Sequence, residues 1–242
     1  MPYYYYYGID WSYLILVLPC MIFALLASSS VNSTFKKYSQ QRSVRGLTGA
    51  EAAQRVLRHN GVTGVRIERV SGNLTDHYDP KTNVIRLSDS VYSSTSTAAI
   101  GVAAHEAGHA VQYAQHYAPI QLRAAIIPIT NIGSRLAMPL ILAGILFTFL
   151  GSLSNILVYL GIAAFGLSFV FQIVTLPVEF NASRRALAAI EDAQLLTEDE
   201  QRGARKTLNA AAMTYVAATA VALAQLLRLI ILFGGRGRRR ND

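Results

Sequence analysis

The stretch LAMPLILAGILFTFLGSLSNILVYLGIAAFGLSFVFQIVTLPV, residues 136–178, runs for 43 residues without a charged side chain. As one helix it would reach about 65 Å, roughly twice the ~30 Å of hydrocarbon in a bilayer, so it must fold back on itself. Gly151-Ser152-Leu153-Ser154-Asn155 is the polar break near its middle and divides it into two spans, roughly 136–151 and 156–176. Working outward, a second window of 25 uncharged residues extends from Trp11 to Phe35, with its apolar centre at Tyr13 to Ala27. A third, Asn209 to Leu227, is rich in alanine and is followed by Arg228 and then Leu229 to Phe233. These windows explain why only 15% of the 242 residues are charged, against roughly 25% in an ordinary soluble domain.

The first window does not read as a secretory signal. Met1 to Asp10 contains no Lys or Arg, and Tyr3 to Tyr7 suits an aromatic belt at a membrane interface. Cys20 lies deep in the apolar run directly after Pro19, a poor position for lipid attachment. As the only cysteine, it also excludes an intramolecular disulfide and a multi-cysteine zinc site, so any metal must be held by His and carboxylate.

The formal net charge of +8 invites a nucleic-acid reading, but its placement argues otherwise. Lys36, Lys37, Arg42 and Arg45 follow the first span, Arg123 and Arg135 precede the second, Arg184 and Arg185 follow the third, and Arg236 with Arg238 to Arg240 ends the sequence. Positive charge flanking apolar spans marks the cytoplasmic side. Three spans with an external N-terminus put all of it there, whereas a fourth full crossing by 210–233 would expel the Arg tail. Three spans plus an interfacial helix are therefore expected ahead of four.

Between the windows lie polar segments. Thr48-Gly49-Ala50-Glu51 is a capping box opening a helix that ends near Asn60-Gly61. Val65 to Val70 alternates, and Val84 to Leu87 does so in part, as short strands of a small sheet expected to pair through the turn chemistry at Asp79-Pro80-Lys81-Thr82-Asn83. Val84 to Leu87 is a candidate edge strand for pairing with an extended peptide. Thr97 to Gln115 has helical periodicity, and a second capping box opens at Thr197.

The helix at 97–115 carries His105-Glu106-Ala107-Gly108-His109, an H-E-x-x-H pattern. Histidines four apart project from one helix face about 6 Å apart along the axis, so both imidazoles can reach one Zn²⁺. Glu106 then lies beside the metal as general base toward a zinc-activated water, and the expected reaction is hydrolysis of a peptide bond. Gln112 and Gln115 stand where a metzincin would have Gly and His, which excludes that class. His116 lies about 16 Å along the helix from His105 and reads as a surface residue. His59 has a favourable place at a helix C-terminus and needs no other role. Glu179, an isolated acid at the end of the hairpin that returns to where it began, is the candidate third ligand. The alternative for it is a juxtamembrane ion pair with Arg184 or Arg185.

The order His105-Glu106-x-x-His109, hydrophobic hairpin, Glu179-Phe180-Asn181-Ala182-Ser183-Arg184-Arg185-Ala186 resembles the membrane gluzincin arrangement of the bacterial heat-shock membrane protease and the CAAX prenyl protease. Over nearly its full length the chain more closely resembles the YugP-type neutral zinc metallopeptidases, through Tyr-Gly-Ile-Asp-Trp at 7–11, Ser-Thr-Phe-Lys-Lys-Tyr at 33–38, Arg-Gly-Leu-Thr-Gly-Ala-Glu-Ala-Ala at 45–53 and Leu-Thr-Asp-His-Tyr-Asp-Pro at 74–80. The resemblance implies a bacterial membrane enzyme with zinc at His105, His109 and Glu179 and with Glu106 catalytic. It departs from other gluzincins in one place: the Asp usual four residues after the Glu ligand, which orients a zinc histidine, is Ser183 here. His77, Tyr78 and Arg184 are further candidates for stabilising an oxyanion, each equally well explained as ordinary polar surface.

The expected fold is a mainly α membrane protein whose transmembrane helices accompany a small α+β gluzincin-like zinc peptidase domain. Its parts are an N-terminal anchor (1–35), a cytoplasmic α+β part with the H-E-x-x-H helix (36–135), a transmembrane hairpin (136–178), a helical part with the third ligand (179–209), and a C-terminal apolar helix with a basic tail (210–242). The expected activity is a membrane-bound zinc endopeptidase with one zinc per chain, a cytoplasm-facing site in the bacterial cell membrane, and a role in membrane-protein quality control or processing. Its partners are a peptide or membrane-protein substrate and the lipid bilayer, not nucleic acid, and the oligomeric state is open. The competing reading is a non-catalytic membrane scaffold with structural zinc. A transporter is disfavoured because no charge lies within 136–178.

Overall fold

The computed structural model describes residues 10–234. Tyr3 to Tyr7 and Arg236 with Arg238 to Arg240, read above as an interfacial belt and as orienting charge, lie outside the described residues. The helices are α1 (Leu18–Tyr38, entered through a π-helical turn at Tyr13–Val17), α2 (Gly49–His59), α3 (Asp89–Tyr92), α4 (Thr97–Ala114), α5 (Ala118–Leu146), α6 (Ser152–Asp192) and α7 (Glu198–Phe233), and the strands are β1 (Arg66–Val70), β2 (His77–Asp79) and β3 (Val84–Ser88). The described chain divides into two compact units, one of residues 10–26, 125–173 and 216–234 and one of residues 27–124 and 174–215.

The first unit is made of apolar helix. Four helices, at 13–38, 118–146, 152–192 and 198–233, are long and apolar enough to cross a membrane. Side chains such as Leu25, Leu146 and Phe149 stay 70–78% exposed, a surface suited to lipid rather than water. The turn between α5 and α6 is a 3-10 segment, Thr148–Leu150, closed by Gly151 at φ 62°, a conformation that favours glycine. Small residues let the two helices touch. A Cβ on Gly144 would meet the Ser154 carbonyl oxygen at 2.6 Å, and one on Gly161 would meet that of Ala137 at 2.7 Å. Helix α7, expected at the interface ahead of spanning, has the length and hydropathy that a full crossing would need. In its apolar part the cation Arg228 is paired: its Nε donates to the Asp10 carboxylate at 2.9 Å, and its guanidinium lies 5.5 Å over the Tyr13 ring.

In the second unit, α2, β3, α4 and parts of α6 and α7 surround a core that includes Leu57, Ile85, Leu87, Ile100, Ile190 and Leu195. The capping box of α2 forms as expected: Glu51 N–H donates to Thr48 Oγ1 at 3.2 Å, and Thr48 N–H donates to the Glu51 carboxylate at 2.8 Å. Such a cap contributes about 1 kcal/mol. The sheet has the order β1-β3-β2, with β1 parallel and β2 antiparallel to β3. Two details correct the sequence reading. The Asp79 turn joins β3 to the three-residue strand His77–Asp79, which is too short and polar to show periodicity. Val84 to Leu87 is the buried central strand, flanked on both sides, so it offers no edge to a peptide. Asp79 holds the turn through the Thr82 hydroxyl and the Lys81 N–H, which, together with Arg86, bring its carboxyl down to about 2.

Helix α4 begins at Ser96, whose hydroxyl accepts from Ala99 N–H at 3.2 Å. Its inner side is nearly all small. A Cβ on Gly108 would meet the Ala182 carbonyl oxygen of α6 at 2.7 Å, and one on Gly101 would meet Ala204 of α7 at 3.2 Å. The three helices therefore approach at backbone distance, which sets where the side chains of α4 and α6 converge.

Candidate metal centre

Because α4 and α6 pack so closely at Gly108, side chains 70 or more positions apart in sequence share one pocket. His105 Nε2 lies 3.3 Å and His109 Nε2 3.5 Å from the same oxygen, Glu179 Oε2, and the three donor atoms all fall within 4.8 Å of one another. The two imidazoles stand edge to face with centroids 4.7 Å apart. Ligands held about 2.0–2.1 Å from a tetrahedral zinc are themselves about 3.3–3.4 Å apart, so the two histidine–carboxylate spacings fit that ion. Glu179 Oε2 is also a buried oxygen with no hydrogen-bond partner among the described residues, while the other oxygen, Oε1, accepts from Arg123 Nη1 at 3.1 Å. A carboxylate 2% exposed with one oxygen left free and aimed at two imidazole nitrogens is suited to a cation.

The neighbours of the histidines fix which nitrogen is available. Gln112, fully buried, donates its side-chain NH₂ to the Val178 carbonyl at 2.8 Å and to Asn181 Oδ1 at 2.9 Å. Asn181 Oδ1 in turn accepts from Arg185 Nε at 2.7 Å, so it must be oxygen. The remaining Gln112 atom, Oε1, can only accept, and it lies 3.0 Å from His109 Nδ1. His109 therefore carries its proton on Nδ1 and turns the lone pair of Nε2 toward Glu179. On the other ligand, His105 Nδ1 lies 3.1 Å from the Ser183 hydroxyl. Burial pulls the His109 imidazole toward its neutral form, but the negative charges of Glu179 and Glu106 favour a second proton on the ring and raise its pKa.

Glu106 lies on the open side. With His105 it lines a cavity of about 310 Å³, bounded by Val31, Leu74, Val102, Leu208 and Tyr215 among others. Its carboxylate is 8% exposed. Asp76 lines the same cavity; burial pushes its carboxyl up, against the opposing bonds from Ser88 N–H and Oγ.

The site brings together His105, Glu106, His109 and Glu179, with Ser183 in contact, and leaves the other candidates apart. His77 is exposed and bonds the Thr75 carbonyl, and Tyr78 donates to Asn83 Oδ1 at 2.7 Å and packs on Tyr113. Arg184 is exposed, and Arg185 is engaged with Asn181, so the cation on Glu179 is Arg123 instead. His116, with φ 53°, follows the end of α4 and bonds Gln121, and His59 pairs with Asp192 at 3.6 Å. Sequence reasoning missed Arg123, Gln112 and Tyr215 as site residues. Gln112 alone left a local signal, three residues after His109 on the same helix face.

An α-helical membrane protein carrying a His-His-carboxylate donor set is the class that these features define, and the chain belongs to the neutral zinc metallopeptidase family: the model of that family, described as "Putative neutral zinc metallopeptidase", matches residues 13–234. Among curated proteins it is 45% identical over 221 residues to the "Putative membrane protease YugP" of Bacillus subtilis (strain 168), covering 91% of this chain and 96% of that one. No solved structure matches the chain.

Proposed function

We propose that this protein is a zinc-dependent endopeptidase of the bacterial cell membrane, with its site toward the cytoplasm, cutting peptides or unfolded membrane-protein segments near the bilayer surface in quality control or processing. The observation that carries this reading is the convergence of His105 Nε2, His109 Nε2 and the Glu179 Oε2 oxygen, with the Glu106 carboxylate on the wall of the cavity that His105 also lines. His105, His109 and Glu179 hold the ion, as expected of a gluzincin. When bound, zinc supplies the Lewis acidity that polarises the scissile carbonyl and acidifies water. Glu106, at the cavity wall, takes the proton from the attacking water and passes it to the leaving amine. Arg123 orients Glu179 through its hydrogen bond to Oε1, and Gln112 and Ser183 keep the two histidines presenting Nε2. The apolar walls at Val31, Val102 and Leu208 suit an apolar side chain of the peptide. The cytoplasmic orientation rests on the Lys and Arg that flank the spans around this unit.

The protein purified in detergent is expected to hold about one zinc per chain and to cleave casein. Chelation should abolish cleavage and stoichiometric zinc restore it; cleavage by metal-free protein would exclude the reading. Gln112→Leu should leave the helical content intact and weaken zinc binding about 10–100-fold, as losing an outer-shell partner does. Competition with a chromophoric chelator measures it, and unchanged affinity would remove Gln112 from the site.

A further inference from the structure

We propose that a groove between α1 and α7, distinct from the metal centre, binds the phosphate group of an anionic phospholipid. Ser30, Thr34, Lys37 and Tyr38 form one wall, and Lys206, Asn209, Ala210 and Met213 form the other, around a volume of about 350 Å³. Ser30, Thr34 and Lys37 follow i, i+4, i+7 spacing, as do Lys206, Ala210 and Met213, so each wall is one face of its helix. Gly203 brings the helices together at this end: a Cβ there would meet the Tyr38 ring at 2.8 Å and Thr97 Oγ1 at 2.6 Å.

The chemistry of the groove is that of an anion site. It gathers two ammonium groups, two aliphatic hydroxyls, a phenol and an amide, and no carboxylate lines it. Neither Lys37 nor Lys206 forms an ion pair with any described residue, and Lys37 Nζ sits 5.6 Å over the Tyr38 ring. Two of the three acids at the start of α7 are engaged elsewhere: Asp199 pairs with Arg202 at 3.6 Å, and Glu200 accepts from the Val44 and Thr197 N–H groups, while Glu198, like them, is not among the residues that line the groove. An anion entering here would meet two uncompensated cations within reach of neutral donors.

The groove is also graded, which favours a lipid over a free ion. Lys37 lies in the last turn of α1 and Lys206 in the first third of α7, while Ser30 and Met213 lie further into helices apolar enough to span a membrane. Leu26, one turn before Ser30 on the same face, is 64% exposed, and Met213 is 41% exposed. A headgroup held by the lysines would leave acyl chains along Met213 and Leu26, the polarity order of a phospholipid in a cytoplasmic leaflet.

The test uses the full-length protein in neutral detergent, titrated with dioleoylphosphatidylglycerol or dioleoylphosphatidylcholine and read by native mass spectrometry. Wild type should retain the phosphatidylglycerol in preference to the phosphatidylcholine, and Lys37→Gln/Lys206→Gln should bind it at least about tenfold more weakly. Arg58→Gln/Lys81→Gln, which removes the same charge away from the groove, should bind as wild type does. Equal weakening in both variants would reduce the effect to diffuse charge, and no preference between the lipids would leave the groove without a headgroup role; either overturns the proposal. So would displacement of the lipid by an equimolar amount of inorganic phosphate, which would mark a free-anion site.

Discussion

Glu106→Gln is expected to keep its zinc and lose cleavage by at least about 10²-fold, the lower end of what a positioned general base contributes. Glutamine has nearly the same shape, so the cavity wall is preserved, and Glu106 lies outside the set of three converging donor atoms, so the ion has no reason to leave. What goes is the ability to accept a proton. Metal analysis and casein cleavage on the same preparation read both halves. Wild-type activity in this variant would remove Glu106 from the reaction and favour a structural zinc in a membrane scaffold, a reading in which a base at this position has no use.

The second large effect falls on the metal itself. Glu179→Ala should lower zinc affinity by more than about 100-fold, beyond the range for losing an outer-shell partner, because it deletes one of three donors. It also strips Arg123 of its carboxylate, so loss of zinc in that variant could follow from local collapse. Glu179→Gln separates the two causes. Its amide oxygen can still accept from Arg123, while its NH₂ would face two imidazole nitrogens that present lone pairs. The folded protein should then be recovered, with its thermal transition close to that of apo wild type, but without metal. Full zinc occupancy in Glu179→Gln would move the third-ligand role to another residue.

Much of the site was legible in the sequence because its chemistry is local. His105, Glu106 and His109 share one helix, where spacing alone places the histidines on one face, and Glu179 was reachable because a doubled-back hairpin returns the chain to its starting side. What stayed hidden depends on contacts between distant segments. Arg123 read only as a charge flanking a span, since nothing in its neighbourhood says that a carboxylate 56 positions later will face it. Gln112 read as a reason to exclude one peptidase class, and its hold on His109 appears only when Val178 and Asn181 are placed beside it. The fold followed the same division. Long apolar helices and the capping box of α2 were readable, whereas β2 has only three residues, and its pairing with β3 leaves no periodic trace. The partner of Arg228 was hidden for a similar reason, since Asp10 lies 218 positions away.

That pair at Asp10 has a consequence for compartments. The Ser12 hydroxyl and Arg228 hold the Asp10 carboxyl down at about 2, so a charged pair joins the start of the first long helix to the end of the last at neutral pH. Ends fastened to each other cannot be on opposite sides of a bilayer. If all four long helices cross, their even number leaves Asp10 and Arg228 on one side, as a bond between them requires, and three crossings would not.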